Sequence, residues 1–445
     1  MTLAPPPPAL ADLRAGTQLV AGMGRATILP DIDFETYSEA GYVWDAPAGK
    51  WRCLPNAAQG KKGLPIVGAA VYAMHPSTEV LSFAYDLKDG TGSHHWRPGL
   101  PNPANLFAWI ARGGLLEAHY SGFEHWIWNY VCTRRYGWPW LPQAQLRDSG
   151  AKARAHCLPS SLGKLGAVLG IENQKDTDGA RLLKKFSMPR DPTKTDPRLR
   201  IVPVPDAEKA LWETLPAIGV KKIPRVIAAA RADAEDTLRL YAYNTRDIVA
   251  EGEASALIPD IEGEELDYFL VDQAINYRGV AIDLPGVEAC CSIIDQALER
   301  YNAELYALTG GQVARASEIA RLTGWLGTLG IYLDSLDEDA VDAALKRTDL
   351  PAIARRALQI RATVGSASVK KVYSMRNRVS PLGRLHDLYN YHGARTGRAT
   401  GDGPQPTNLP NSGPDVWACE CGAYFGLHRI ACPECGESPI GDIPF

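Results

Sequence analysis

The stretch Ile28-Leu29-Pro30-Asp31-Ile32-Asp33-Phe34-Glu35-Thr36 constrains this chain more than any other. Its apolar and acidic residues alternate, the period of a strand with one face in a core. Ile32 and Phe34 point inward on this reading, and Asp31, Asp33 and Glu35 share the opposite face. Neighbours on one strand face lie roughly 7 Å apart. Two carboxylates at that spacing repel unless a cation sits between them, and a divalent ion with hard oxygen ligands is the usual solution. The alternative at this point is a solvated acidic strand edge.

With 445 residues the chain has room for roughly three domains. A hydrophobic fraction of 45% and a charged fraction of 22% are ordinary for a globular protein. No apolar run approaches the roughly 20 residues of a membrane span. The N-terminal residues lack the apolar core of a signal peptide, and Pro5 to Pro8 read as a short polyproline arm. The expectation is a cytoplasmic protein with no membrane partner. The net charge of −4 argues against nucleic acid, but the distribution argues for it. From Ala352 to Thr400 there are ten Lys or Arg and one acidic residue, Asp387, a local excess suited to phosphate. Cys53, Cys132, Cys157, Cys290 and Cys291 are scattered and read as small buried hydrophobes.

Along the chain, Ile66–Met74 and Val80–Tyr85 read as strands joined by a turn at His75–Thr78, and Asn105–Arg112 as a short helix. Phe123, Ile127 and Tyr130 recur at helical spacing, which puts Glu124 in a first helical turn, where the backbone dipole favours an anion. Trp126, Trp128, Trp138 and Trp140 read as core. Ala153–Gly170, Gly179–Phe186, Ala207–Leu215 and Ala230–Ala256 read as helices. Tyr243 and Asp247, four residues apart, share one face of the last of them.

A strand with Asp33 and Glu35, a helix start with Glu124, and a helix with Tyr243 and Asp247 follow in that order. Together they resemble the proofreading 3′–5′ exonuclease superfamily that uses four acidic residues and a tyrosine. The Asp-x-Glu and Tyr-x-x-x-Asp motifs match. The middle motif departs: Tyr120 stands where the family usually has Asn, and Glu124 where it often has Asp. The resemblance implies a ribonuclease H-like α/β domain and two Mg²⁺ (or Mn²⁺) ions held by Asp33, Glu35, Glu124 and Asp247. Asp33 bridges the two ions in this assignment, Glu35 and Asp247 complete the one that binds the attacking water, and Glu124 serves the other. Two ions about 3.5–4 Å apart clamp the attacking and leaving oxygens of a phosphodiester. Tyr243, with a phenol that ordinarily titrates near 10, orients water rather than removing its proton.

From about Glu262 the pattern turns all-helical. One helix stops at Gly279, Val280–Asp283 is extended, Val287–Leu308 is a long amphipathic helix, and the last helix carries Lys370, Lys371, Arg376 and Arg378. The stretch from Gly383 through Gly393-Ala394-Arg395-Thr396-Gly397-Arg398 to Gln405-Pro406-Thr407-Asn408-Leu409-Pro410 resembles the family A DNA polymerases, especially the phage versions, where it runs from thumb to palm and contacts primer–template. Asp272–Val280 resembles that family's exonuclease-to-thumb junction. The resemblance spans roughly residues 27 to 412. It implies DNA contacts from Lys370, Lys371, Arg395, Thr396, Arg398, Gln405 and Asn408. Glycines admit a phosphate to the backbone and Arg398 can grip it with two N–H groups, while Gln405 and Asn408 can donate to minor-groove acceptors. The family's polymerase carboxylates and nucleotide-binding lysine lie beyond this loop and are not among the residues that follow Pro410. Synthesis is therefore expected only with palm and fingers from a second chain, and a non-catalytic DNA-binding or assembly subunit is the alternative.

Near the end, Cys419-Glu420-Cys421 and Cys432-Pro433-Glu434-Cys435-Gly436 read as a zinc knuckle holding one structural Zn²⁺, the alternatives being a redox pair or a site completed by His428. The expected organisation is an arm at 1–25, the exonuclease domain at 26–260, a helical thumb-like domain at 261–380, the start of a palm at 381–413, and a zinc ribbon at 414–445.

Overall fold

A computed structural model describes residues 27–54, 61–174, 178–194, 196–206, 223–365, 367–409, 416–421, 424–426, 431–437 and 441–443. The arm at 1–25, the helix expected over Ala207–Leu215 and His428 lie outside them. The first half is built on a five-stranded sheet. Its strands are β1 (Asp31–Tyr37), β2 (Glu79–Asp86), β3 (Ser93–Trp96), β4 (Leu116–Ala118) and β5 (Leu146–Asp148), in the order β3-β2-β1-β4-β5. The acidic strand is thus the central one. It pairs antiparallel with β2, Asp33 opposite Ala84 and Glu35 opposite Ser82, and parallel with β4.

The alternation in β1 decides what each face meets. Ile32 and Phe34 enter the main core, where Phe34 stacks on Phe83 with centroids 4.3 Å apart and meets Trp128 and Trp138. Trp126, Trp128 and Trp138 are fully buried, as expected, and Trp140 packs against them partly exposed. An indole removes roughly 150–250 Å² from water, about 4–6 kcal/mol of transfer free energy each. The acidic face is covered rather than solvated. A 34-residue helix, Ile223–Ala256, lies across it, and Asp31 is buried against Lys88 at 2.6 Å. Gly252 of that helix makes room for the pair, since a Cβ there would come within 2.6 Å of Asp31 Oδ2 and 2.7 Å of Lys88 Nζ.

Two expectations are corrected. Ile66–Met74 is not a strand but part of helix α1 (Leu64–Met74). Its residues are apolar on nearly every side, so periodicity gave no signal; Pro65 in the first turn and three alanines favour a helix, which kinks at Gly68 (φ 78). The expected helix Ala153–Gly170 is two helices, Ser149–Ala155 and Leu162–Leu169. Cys157 at φ 58 and Pro159 separate them. Cys132 and Cys291 are buried as expected, but Cys157 and Cys290 are exposed and Cys53 is half-buried.

The second half is helical: α2 (Gly263–Arg278), α3 (Leu284–Leu308), α4 (Ile319–Thr328), α5 (Glu338–Leu345), α6 (Ala352–Gly365) and α7 (Ala367–Arg378). The last five surround a separate apolar cluster that includes Leu305, Leu322, Leu326, Val341 and Leu358, and a smaller one in which Tyr373 meets Val287 and Cys291. α2 instead packs on the sheet half, with Tyr277 in the main core and Phe269 and Leu270 against Ala144 and Ala151. Beyond α7, Arg384–Leu385 pairs with Val280–Ala281, and Tyr389–Asn390 with Thr400–Gly401. A small three-stranded sheet (Val416–Ala418, Tyr424–Gly426, Gly441–Ile443) carries the last cysteines. Among the described residues no helix is long and apolar enough to cross a membrane.

Candidate active site, nucleic-acid cleft and metal centre

Asp148, at the end of β5, sets the position of Glu124. Its carboxylate accepts from the N–H groups of Tyr120 and Ser121, and from Ala151 in the next helix, so one side chain caps two helix starts. The helix that opens there, Ser121–Ile127, carries Glu124 in its first turn, and Tyr120 precedes it in the left-handed conformation at φ 68. Glu124 projects back onto β1 and accepts from the main-chain N–H of Phe34 at 3.0 Å. It is fully enclosed. Burial first, then the charges of Asp33 and Glu35, hold its carboxyl well above the ordinary range.

Three of the expected carboxylates therefore converge: Asp33 and Glu35 from one strand face, and Glu124 from the facing helix. The fourth, Asp247, is buried on the long helix that covers this face. One turn earlier on that helix, Asn244 donates to the carbonyl of Asp33 at 3.3 Å and makes a short hydrogen bond to Asp33 Oδ2. Tyr243 is buried beside Gly179, the first residue of the helix Gly179–Phe186, where a Cβ would meet the tyrosine ring at 1.9 Å. Only glycine admits the phenol at this position. Hard carboxylate oxygens are the donors that divalent cations take, although those of Asp33, Glu35, Glu124 and Asp247 do not all close to within 4.8 Å of one another as the cysteine sulfurs below do.

Sequence reasoning missed the partners of this face. Asn244 sits inside the Tyr-x-x-x-Asp run and could have been noted there. Ser82 and His95 come from neighbouring strands, and only the sheet order reveals them. Glu251, one turn beyond Asp247, is buried and accepts from Ser149. Burial and the nearby charges of Asp31, Glu117 and Asp33 hold it well above the ordinary range.

The expected DNA-contacting residues fall in three places. Lys370, Lys371 and Gln405 line a cleft of about 830 Å³. Four cations not assigned to DNA in the sequence reading, Lys61, Arg315, Arg361 and Arg378, line it too. Arg395, Thr396 and Arg398 lie instead on an exposed turn, closed by Gly397 N donating to Ala394 O and Ala394 N donating to Arg398 O, both at 3.0 Å. Gly397 supplies the required φ of 77°. Asn408 ends a short 3₁₀ turn, Pro406–Asn408. Arg378, one of the four cations of the last helix, is buried. It pairs with Asp402 at 2.6 Å and donates to Pro65 O at 3.3 Å, between glycines 68 and 403.

The thiols of Cys419, Cys421, Cys432 and Cys435 lie within 4.8 Å of one another, and among the described residues no other group of three or more His, Cys, Asp or Glu does so. Cys419 and Cys435 are 3.3 Å apart at sulfur, Cys421 and Cys432 3.6 Å. A disulfide needs about 2.05 Å, whereas a tetrahedron with Zn–S near 2.3 Å has edges of about 3.8 Å. The four thiols can hold zinc. Glu434 N donates to Cys432 Sγ at 3.4 Å, and Gly436, at φ 79, turns the chain back so that its N–H meets Cys432 O.

No protein-family model matches the chain. It is 28% identical over 351 residues to a DNA polymerase of Bacillus phage SP02, an alignment that spans 78% of this chain and 49% of that one. The chain thus spans about half the length of that curated relative. Among solved structures, the POL domain of Pol1 from M. smegmatis, in complex with DNA primer-template and dNTP, aligns over 75% of this chain and 50% of that one, with a TM-score of 0.39 and 17% identity. By sequence, this chain is related to a phage DNA polymerase.

Proposed function

We propose that this chain is the 3′–5′ proofreading exonuclease and primer–template-holding portion of a family A DNA polymerase. The observation that carries the reading is the convergence of Asp33, Glu35 and Glu124 on the central strand, beside a buried Asp247 and Tyr243. The mixed sheet with the acidic strand at its centre accords with a ribonuclease H-like domain over 26–260. The helical part to about 380, the loop region to 413 and the cysteine ribbon would follow it.

Asp33, Glu35, Glu124 and Asp247 would hold two Mg²⁺ or Mn²⁺ ions. Bound there, the ions supply the charge that activates water and stabilises the departing 3′ oxygen. Asp33 would contribute to both. Glu35 and Asp247 would serve the ion that activates the water, and Glu124 the other. Tyr243, held by Gly179, orients the water. The cleft lined by Lys370, Lys371 and Gln405, with the turn at Arg395, Thr396 and Arg398 and the 3₁₀ turn at Asn408, is the proposed primer–template surface. The four-cysteine site takes one structural Zn²⁺. DNA synthesis requires palm and fingers from outside these residues, whether further along the same polypeptide or on a second chain.

The test is hydrolysis of a 3′-labelled single strand and of a mismatched primer–template, in Mg²⁺ or Mn²⁺ against chelator. Metal-dependent release of mononucleotides that Asp33→Ala abolishes is the expected result. Salt-sensitive DNA binding with no cleavage in either metal would overturn the catalytic reading and leave a DNA-binding subunit.

A further inference from the structure

Resting on the exonuclease reading, we infer that Asn244, locked by Ser82, is a positioning residue that sets the metal affinity of Asp33. Asn244 and Ser82 are both fully buried, so their polar atoms must be paired inside the protein. The pairing fixes one orientation. Ser82 Oγ donates its single proton to Asn244 Oδ1 at 2.6 Å. That leaves the hydroxyl free to accept from His95 Nε2 at 3.0 Å. With its oxygen committed to Ser82, the Asn244 amide can only turn its NH₂ toward β1, where it meets both the main-chain oxygen and Oδ2 of Asp33. Tyr241, on the same helix, covers the His95 ring with centroids 4.3 Å apart.

The relay therefore runs from β3 through β2 and the long helix to the central strand. It grips one carboxylate oxygen of Asp33 from the side. The carboxylate loses torsional freedom, and its remaining lone pairs keep a fixed direction. Outer partners of this kind typically change metal affinity or activity 10–100-fold when removed. An asparagine that merely tied the helix to the sheet would leave metal affinity unchanged.

The experiment measures Mn²⁺ binding to the full chain by electron paramagnetic resonance, with Asp33→Ala as the reference for loss, alongside the metal dependence of single-strand hydrolysis. Asn244→Leu keeps the volume and removes the donor. The expected result is a 10–100-fold weaker Mn²⁺ affinity, an equal shift in the metal concentration for half-maximal rate, and an unchanged KM for DNA. Ser82→Ala should shift affinity in the same direction by less, and the double variant should be no weaker than Asn244→Leu, because both act on one chain of bonds. Should Asn244→Leu fail to fold, Ser82→Ala, which deletes one buried oxygen two bonds away, gives the same reading. Unchanged Mn²⁺ affinity in a folded variant overturns the positioning role alone. A wild-type chain with no Asp33-dependent Mn²⁺ binding overturns the exonuclease reading, and this inference with it.

Discussion

The main-chain N–H of Phe34 donates to the carboxylate of Glu124 at 3.0 Å, tying the middle of the central strand to the first turn of the facing helix. The bond holds Glu124 between Asp33 and Glu35, and burial among those charges raises its proton affinity. A raised carboxyl keeps its proton in the folded state after the unfolded chain has lost its own. Stability then falls as pH rises above the ordinary glutamate value of 4.5, by up to ~1.4 kcal/mol per pH unit until the folded carboxyl ionises. Glu124→Gln should therefore raise the melting temperature at pH 8 in metal-free buffer, and the gain should vanish near pH 4. The same variant should lose exonuclease activity. Equal gains at both pH values would show that the charge is not the cause.

Gly179→Ala places a methyl group where the Tyr243 ring lies. Overpacking of this kind costs about 1–3 kcal/mol, and the phenol must move. Hydrolysis should fall at least tenfold, with single-strand binding retained. Adding Tyr243→Ala should relieve the clash, so that the double variant loses less stability than the sum of the two single variants, without restoring the rate. Calorimetry and a labelled-strand assay read both.

The basic cleft should report itself through salt. Each phosphate contact contributes a slope of ~0.9 in log affinity against log salt on duplex DNA. Lys370→Ala with Arg361→Ala should lower the primer–template slope by about 2 while leaving hydrolysis of a short single strand intact. An unchanged slope would place the duplex elsewhere.

The cysteine cluster should carry one zinc per chain, released by a mercurial reagent and counted with a colorimetric chelator. Cys432→Ser should release it and expose the ribbon at 416–443 to protease, because a ribbon this small folds on its metal. Metal-dependent hydrolysis should be unaffected, since Asp33, Glu35, Glu124 and Asp247 all lie on other elements.

Much of the site was legible because its chemistry is local in sequence. Asp33 and Glu35 alternate with core residues on one strand, Glu124 opens a helix, and Tyr243 and Asp247 are one turn apart. The four cysteines announce themselves by spacing. What sequence could not give is what pairs across elements. Ser82 and His95 meet Asn244 only because β3 and β2 flank β1 in the sheet. Arg378 looks like one more cation in a basic run, yet a tertiary carboxylate and a carbonyl bury it. The Ile66–Met74 run went astray because an element apolar on all sides shows no period to read.

Trp126 opens a final consequence. Its indole N–H donates to Asp387 at 3.2 Å, and its ring meets Tyr277 and His386 at 4.9 Å each, all three from beyond residue 260. A gene fragment ending at 260 would strip this indole, two residues from Glu124, of those three partners and leave it, among the described residues, only Tyr130 and His125 as ring partners. Anyone excising a minimal nuclease from this chain would do better to keep α2 and the segment through Tyr391, or to redesign the exposed indole before cutting.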